Sequence, residues 1–257
     1  MGKTIFCDFD GPIVDVSDRY YSTYQQGLAH VQAVYASQEQ SLPLHVLTKH
    51  QFWQMKQERT PDPEIAMRSG LQGQQIDLFL QQVKQMVNHP ELLQQDQLQP
   101  GVKQALTQLY VEGVQLVLVT LRCQQQVRQL LRQYGIAHLF SQIHGATDEQ
   151  AAYLNQAEHK TQLLAAAMTA TSIEPHPEPY TPDRAGSTHA WMIGDTEADI
   201  LAGQAVGIST IALTCGIRSQ AYLQRFAPCQ IHTDLATAVT SLLKTDRHNC
   251  LPKHVAA

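Results

Sequence analysis

Three short apolar runs, each closing on a polar residue, constrain this chain more than any other feature. They occupy residues 3–8, ending at Asp8, residues 114–120, ending at Thr120, and residues 190–193, running into Gly194 and Asp195. A run that is apolar at nearly every position suits a strand covered on both faces. Helical patterns fill the intervals: residues 102–110, stopped by Glu112-Gly113; residues 124–134, stopped by Gly135; and residues 160–170. Further short strands are expected at 140–144, 208–213 and 230–231. Strands that alternate with helices predict a doubly wound parallel sheet. Such sheets receive ligands beyond the carboxyl ends of their strands. Asp8, Asp10, Thr120 and Asp195 all fall at those ends.

One long stretch breaks the alternation. Residues 15–99 are Gln-rich, with Tyr20, Tyr24, Leu28 and Val31 at helical spacing, Pro61 and Pro63 as breaks, and Leu78, Val83, Met86 and Val87 before His89-Pro90. No strand is expected there. The reading is an α/β protein: a Rossmann-like core from residues 1–14 and 100–245, an inserted α-helical cap domain over 15–99, and a polar, flexible tail over 246–257. Residues 171–187 contain Pro175, Pro177, Pro179 and Pro182 and read as an exposed loop.

Composition narrows the class. Apolar residues make up 43% of the 257 and charged residues 16%, which excludes a disordered chain. No run approaches the ~18 apolar residues of a membrane span, and no basic segment followed by an apolar one opens the chain. Met1-Gly2 lacks the hydroxyl residue that myristoylation wants, since position 6 is Phe. A net charge of −5 argues against nucleic acid as a general partner. The five cysteines never form a Cys-x-x-Cys pair and read as reduced thiols of a cytoplasmic protein. The twelve histidines include no helical His-x-x-x-His pair.

Asp8 and Asp10 bring two acids, one residue apart, to a turn opened by Gly11. Acids so placed repel and lose hydration, so a divalent cation is the natural counterpart. Taken singly, each signal has an ordinary explanation. Asp-Gly is a common turn, a strand-end Thr is a β-branched residue, Lys160 near a helix start is usually solvated, and Gly194-Asp195 can be a turn with a helix cap. In order and on these elements they resemble the four motifs of the haloacid-dehalogenase-like superfamily: Asp8-x-Asp10-Gly11, Thr120, Lys160, and Gly194-Asp195-x-x-x-Asp199. The resemblance covers nearly the whole chain. It is nearest the phosphoglycolate-phosphatase-like branch, whose helical cap follows the first motif and which Gly216-Ile217-Arg218-Ser219 also resembles.

The resemblance implies a Mg²⁺-dependent phosphatase acting on a small phosphorylated acid or sugar. Asp8 would be the nucleophile, passing through an aspartyl-phosphate, and Asp10 the general acid and base. Asp8, Asp195 and the main-chain carbonyl of Asp10 would hold Mg²⁺. Gly11, Thr120, the N–H of Leu121, Arg122 and Lys160 would contact the phosphoryl group, with Asp199 supporting Lys160 or metal-bound water. Departures from the pattern are Pro12 after Gly11, Leu121-Arg122 after Thr120, and Thr161 after Lys160. The cap would select substrate, with Tyr20, Tyr21, Tyr24, Lys56, Arg59 and Arg68 as candidates. Asp10 disfavours a dehalogenase. A phosphomutase of the β-phosphoglucomutase type is the alternative, followed by a non-enzymatic binding protein on the same fold. A phosphonate hydrolase would need a cap lysine of lowered pKa, and the residues flanking Lys49 and Lys56 in sequence suggest none.

Overall fold

The computed structural model describes residues 3–173 and 190–249, with side chains up to residue 244. Six parallel strands form the main sheet: β1 (Thr4–Cys7), β4 (Gln115–Cys123), β5 (Gln142–Ala146), β6 (Ala190–Gly194), β7 (Ser209–Leu213) and β8 (Gln230–His232), in the order β5-β4-β1-β6-β7-β8. The chain starts in the middle, builds outward through β4 and β5, then returns to the other side of β1. That reversal makes a crevice at the carboxyl end of β1.

Alternation along each strand feeds two separate cores. Ile5, Cys7, Leu116, Leu118, Trp191 and Ile193 face one side, where α6 (Val102–Val111), α7 (Gln124–Gln133) and α12 (Leu235–Asn249) supply Leu106, Leu109, Val127, Leu131 and Leu242. Phe6, Val117, Val119 and Met192 face the other, against Leu164, Ala167 and Met168 of α9 (Ala157–Ala170) and Ala202 of α10 (Glu197–Ala205). Each fully buried Val, Leu, Ile, Phe or Met among them contributes about 1.5–3 kcal/mol, so the sheet is a rigid frame for whatever leaves its ends. The near-continuous apolar runs arise because both strand faces are covered.

The expected elements occur with shifted bounds. β4 extends to Cys123, so Thr120, Leu121 and Arg122 lie within the strand, and its register against β5 shifts between Thr120 and Cys123. The 15–99 segment is bracketed by a two-residue antiparallel ribbon that the sequence reading missed, β2 (Val14–Asp15) against β3 (Gln97–Leu98). Two-residue strands carry no alternation to detect. Between them run α1 (Ser17–Ala36), α2 (Lys49–Gln57), α3 (Asp62–Arg68), α4 (Gln74–Met86) and α5 (Pro90–Leu93). Tyr24, Leu28, Val31, Phe52, Met55, Ile65, Phe79 and Val83 form an apolar cluster of their own among these helices. A capping box at Thr48, with Gln51, fixes the start of α2. No described helix is long and apolar enough to cross a membrane. The proline-rich segment lies almost wholly outside the described residues, and so does the end of the expected tail, α12 running to Asn249.

Candidate active site

Asp8 sits where β1 leaves the sheet. Its N–H still donates to the carbonyl of Ile193 at 2.9 Å, which holds the backbone in register as the side chain enters the crevice. Asp8 Oδ1 accepts from the N–H of Phe9 at 2.7 Å and meets Lys160 Nζ at 2.9 Å. Lys160, buried in the first turn of α9, also contacts Asp199 Oδ1 at 2.7 Å. Burial works to lower its pKa, but the charges of Asp199 and Asp8 outweigh that and raise it. It is a fixed cation beside the Asp8 carboxylate. Asp199 is held in turn by the capping box of α10: its Oδ2 accepts from the N–H and hydroxyl of Thr196 at 3.1 and 2.7 Å.

Asp195 follows β6 directly. Its Oδ2 accepts from the N–H of Ile217 at 2.7 Å, while its Oδ1 is buried without a hydrogen-bond partner. Two glycines let separate backbone segments close on this carboxylate. A Cβ on Gly11 would lie 2.1 Å from Asp195 Cγ, and one on Gly216 would lie 1.9 Å from its Oδ2. Gly11 also has φ +92°, a conformation side chains resist. Carboxylate oxygens of Asp8, Asp195 and Asp199 all lie within 4.8 Å of one another. Burial pushes Asp8 up to about 7 against the pull of Lys160. Burial, with the charges of Asp199 and Asp8, carries Asp195 well above the usual carboxylate range. A buried acidic cluster short of positive charge, with an orphaned oxygen, fits a hard divalent cation that takes oxygen ligands. Asp199 is already committed to Lys160 and Thr196, so Asp8 and Asp195 are the fitting pair of carboxylates.

Asp10 lies across the crevice and is bound from two sides. Arg19 Nη2 donates to its Oδ2 at 2.8 Å, and Arg122 Nη1 to its Oδ1 at 2.9 Å. Burial would raise its pKa, yet the charges of Arg122 and Arg19 prevail and hold it below the usual range. Arg122, a residue expected to touch the phosphoryl group, thus borders the cleft with its guanidinium spent on acids. Thr120 Oγ1 accepts from the N–H of Arg122 at 3.2 Å, and Thr120 and Leu121 also line the cleft.

The opposite wall comes from the helical insertion. Tyr20, Lys56, Arg59 and Asp62 face Tyr153 of α8 (Ala151–Leu154), Asn155 and Arg218 across a cavity of about 60 Å³. Lys56 Nζ contacts Asp62 Oδ1 at 2.7 Å, and Tyr153 donates to Asp62 Oδ2 at 2.5 Å. Burial lowers the pKa of Lys56, with Asp62 opposing. This corrects the sequence reading of that lysine: the burying groups include Tyr153, remote in sequence. Arg59 and Arg218 both pair with Glu197, at 3.0 and 2.9 Å. The carbonyls ending α2 are gripped as well, Lys56 by Arg218 Nη1 and Gln57 by the N–H of Ser219. Of the other cap candidates, Tyr21 and Tyr24 stack in the helical cluster, and Arg68 pairs with Glu64 on the surface. Arg19, Asp62, Asp96 and Tyr153 had no sequence signal, since each owes its place to packing rather than to a motif.

Residues 5–213 match the family model described as haloacid dehalogenase-like hydrolase, and the chain belongs to that family. Among curated relatives, a phosphoglycolate phosphatase from Haemophilus influenzae is 28% identical over 149 residues, 56% of this chain and 57% of that protein. The chain thus spans little more than half the length of that relative. A phosphoglycolate phosphatase from Synechococcus elongatus is 25% identical across 94% of this chain and 99% of its own. A solved haloacid dehalogenase-like family hydrolase from Streptococcus pneumoniae superposes with a TM-score of 0.60 at 21% identity, covering 94% of this chain and 98% of its own. At that identity the likeness is one of fold.

Proposed function

We propose that this protein is a Mg²⁺-dependent phosphatase that hydrolyses a small phosphorylated metabolite through an aspartyl-phosphate on Asp8. One observation carries the reading. A buried, partnerless oxygen of Asp195 and the lysine-paired carboxylate of Asp8 lie within one metal's reach, at the floor of a cleft lined with cations. Asp8, Asp195 and the main-chain carbonyl of Asp10 would hold Mg²⁺. When bound, the ion neutralises the phosphate and the nucleophile so that two anions can meet.

This chain's own residues do the rest. Lys160 offsets charge on Asp8 and on the transferred group, which Thr120 and the N–H of Leu121 orient. Asp8 Oδ attacks phosphorus as the bond to the leaving oxygen breaks, and that oxygen takes a proton from Asp10, which first takes it up from solvent because Arg19 and Arg122 hold the free carboxylate ionised. Water then attacks the aspartyl-phosphate, its proton passing back to Asp10, and phosphate leaves. The cavity of about 60 Å³, at roughly 10–15 Å³ per water site, holds about four to six waters. That volume suits a compact substrate, and Lys56, Arg59 and Arg218 suit one with a second anionic group. Kinship with phosphoglycolate phosphatases supports the same substrate class.

The test is phosphate release from a generic aryl phosphate and a panel of small phosphorylated acids and sugars, with and without Mg²⁺. Turnover is expected only with the metal, and Asp8→Asn is expected to abolish it while thermal melting still shows a folded protein. Undiminished turnover in that variant would remove Asp8 from its role. Isomerised hexose phosphate without free phosphate would mark a mutase instead.

A further inference from the structure

The charges around Asp10 form a closed ring that the phosphatase motifs do not require. Arg19 Nη2 and Arg122 Nη1 each take one oxygen of Asp10, at 2.8 and 2.9 Å. The same two arginines meet again on Asp96, Arg19 Nε on Oδ1 at 2.9 Å and Arg122 Nη2 in ion contact with Oδ2 at 2.6 Å. The members come from four places: the loop after β1, helix α1, strand β4, and the residue just before β3. Both arginine side chains are 1% exposed and that of Asp96 is fully enclosed. Only Asp10, at 18%, opens to the cleft. Outer contacts brace the ring. Arg19 Nη1 reaches the carbonyl of Val87 and Oδ1 of Asn88, and Tyr134 donates to the carbonyl of Asp96 at 2.7 Å.

Buried ion clusters are poor stabilisers, because desolvation offsets most of the attraction, and apolar replacements are often as stable. What four mutually bonded charges do supply is one geometry. Two neighbouring guanidiniums would repel each other, and the enclosed Asp96 contacts both away from the cleft. Without it, both arginines would have to share Asp10 alone. A carboxylate offers about four acceptor positions, and the ring takes one on each oxygen. One position per oxygen remains for the cleft.

We propose that Arg19, Arg122 and Asp96 are positioning residues that hold the Asp10 carboxylate, both oxygens oriented, as the acceptor of the proton leaving water when the aspartyl-phosphate is hydrolysed. The inference rests on the phosphatase reading above, with Asp10 as its base. In that step water's oxygen bonds to phosphorus, the bond from phosphorus to Asp8 breaks, and Asp10 takes the proton.

The experiment uses an activated aryl phosphate with Mg²⁺. Its leaving group departs unassisted, so kcat/KM reports transfer to Asp8 and kcat reports hydrolysis of the intermediate. In Asp96→Asn, kcat per active site is expected to fall about a hundredfold, the cost of a misplacement of roughly 1 Å. KM should fall in parallel, kcat/KM should hold, and a burst of phenol should precede the slow steady rate. Burst amplitude counts competent molecules, so partial misfolding cannot imitate the result. Arg19→Lys, which keeps the charge but loses the fork, should show a smaller loss of the same pattern and serves if Asp96→Asn does not fold. A fall in kcat and kcat/KM together, or no change, overturns the ring's role. Asp10→Asn is the control: a selective loss there with unselective ring variants sinks the ring alone. Unchanged kcat in Asp10→Asn removes the base itself, and the ring with it.

Discussion

The two walls of the cleft are built on opposite electrostatic plans. The floor, at the ends of β1 and β6, gathers Asp8, Asp195 and Asp199 around a single Lys160 and leaves an oxygen of Asp195 unsatisfied. The roof, from α2 and α3, matches its charges: Lys56 with Asp62, and Arg59 with Glu197. Buried polar groups are normally satisfied, so the imbalance of the floor is the informative half. On the proposed reading, the floor is the half that takes the cation and the phosphoryl group. The roof's pairs tie the insertion to the core, with Arg59 and Arg218 both on Glu197.

If the floor is the reactive half, its variants should cost most. Lys160→Met is expected to lower kcat by about 10²–10³, the worth of one preorganised electrostatic group. A change confined to KM would assign the lysine to binding alone. Gly11→Ala puts a Cβ into the Asp195 carboxylate at a left-handed backbone position. It should destabilise the fold by about 1–3 kcal/mol and abolish the stabilisation by Mg²⁺ in thermal melting. A wild-type response to the metal would show that Asp195 is not a ligand.

Proton linkage sharpens the contrast further. Asp8, raised to about 7, and Asp195, also raised, keep protons in the metal-free folded protein that the unfolded chain has lost above about pH 4. The contribution of Asp8 to stability is therefore present below the unfolded value and is lost as pH rises through about 7, and that of Asp195 is lost as pH rises through its own raised value. Mg²⁺ replaces those protons, so its effect on melting temperature should be larger near pH 8 than near pH 5.5. A shift independent of pH would place the ion elsewhere. The roof should respond least. Tyr153→Phe deletes one hydrogen bond to Asp62, worth about 1 kcal/mol, and should move KM less than tenfold with kcat almost unchanged. A collapse of kcat would mean that the roof takes part in the chemistry.

The same division marks what could be read in advance. Asp8, Thr120 and Asp195 are legible because near-continuous apolar runs locate strand ends, and strand ends in such a sheet converge; Lys160 and Asp199, on the helices α9 and α10, are legible only through the order of the motifs. The helical character of 15–99 is legible for a similar reason, its apolar spacing. Arg19 and Asp96 are not: they stand among polar neighbours, and nothing in their spacing announces a buried arginine or its partner. Lys56 is the clearest case. In sequence it lies on a polar helix, and its surroundings come from Tyr20, Asp62 and Tyr153, brought together only when the insertion packs against the core.

Chemical capture at Asp8 tests the central claim most directly. Enzyme quenched during turnover and reduced with borohydride should yield homoserine at position 8, seen as a mass change in the peptide that carries Phe6 to Gly11, because hydride reduces an acyl phosphate and spares a free carboxylate. Modification at that residue alone, dependent on Mg²⁺ and substrate, is the predicted result. Steady phosphate release with position 8 unmodified, or with the mark on another acid, would contradict the account.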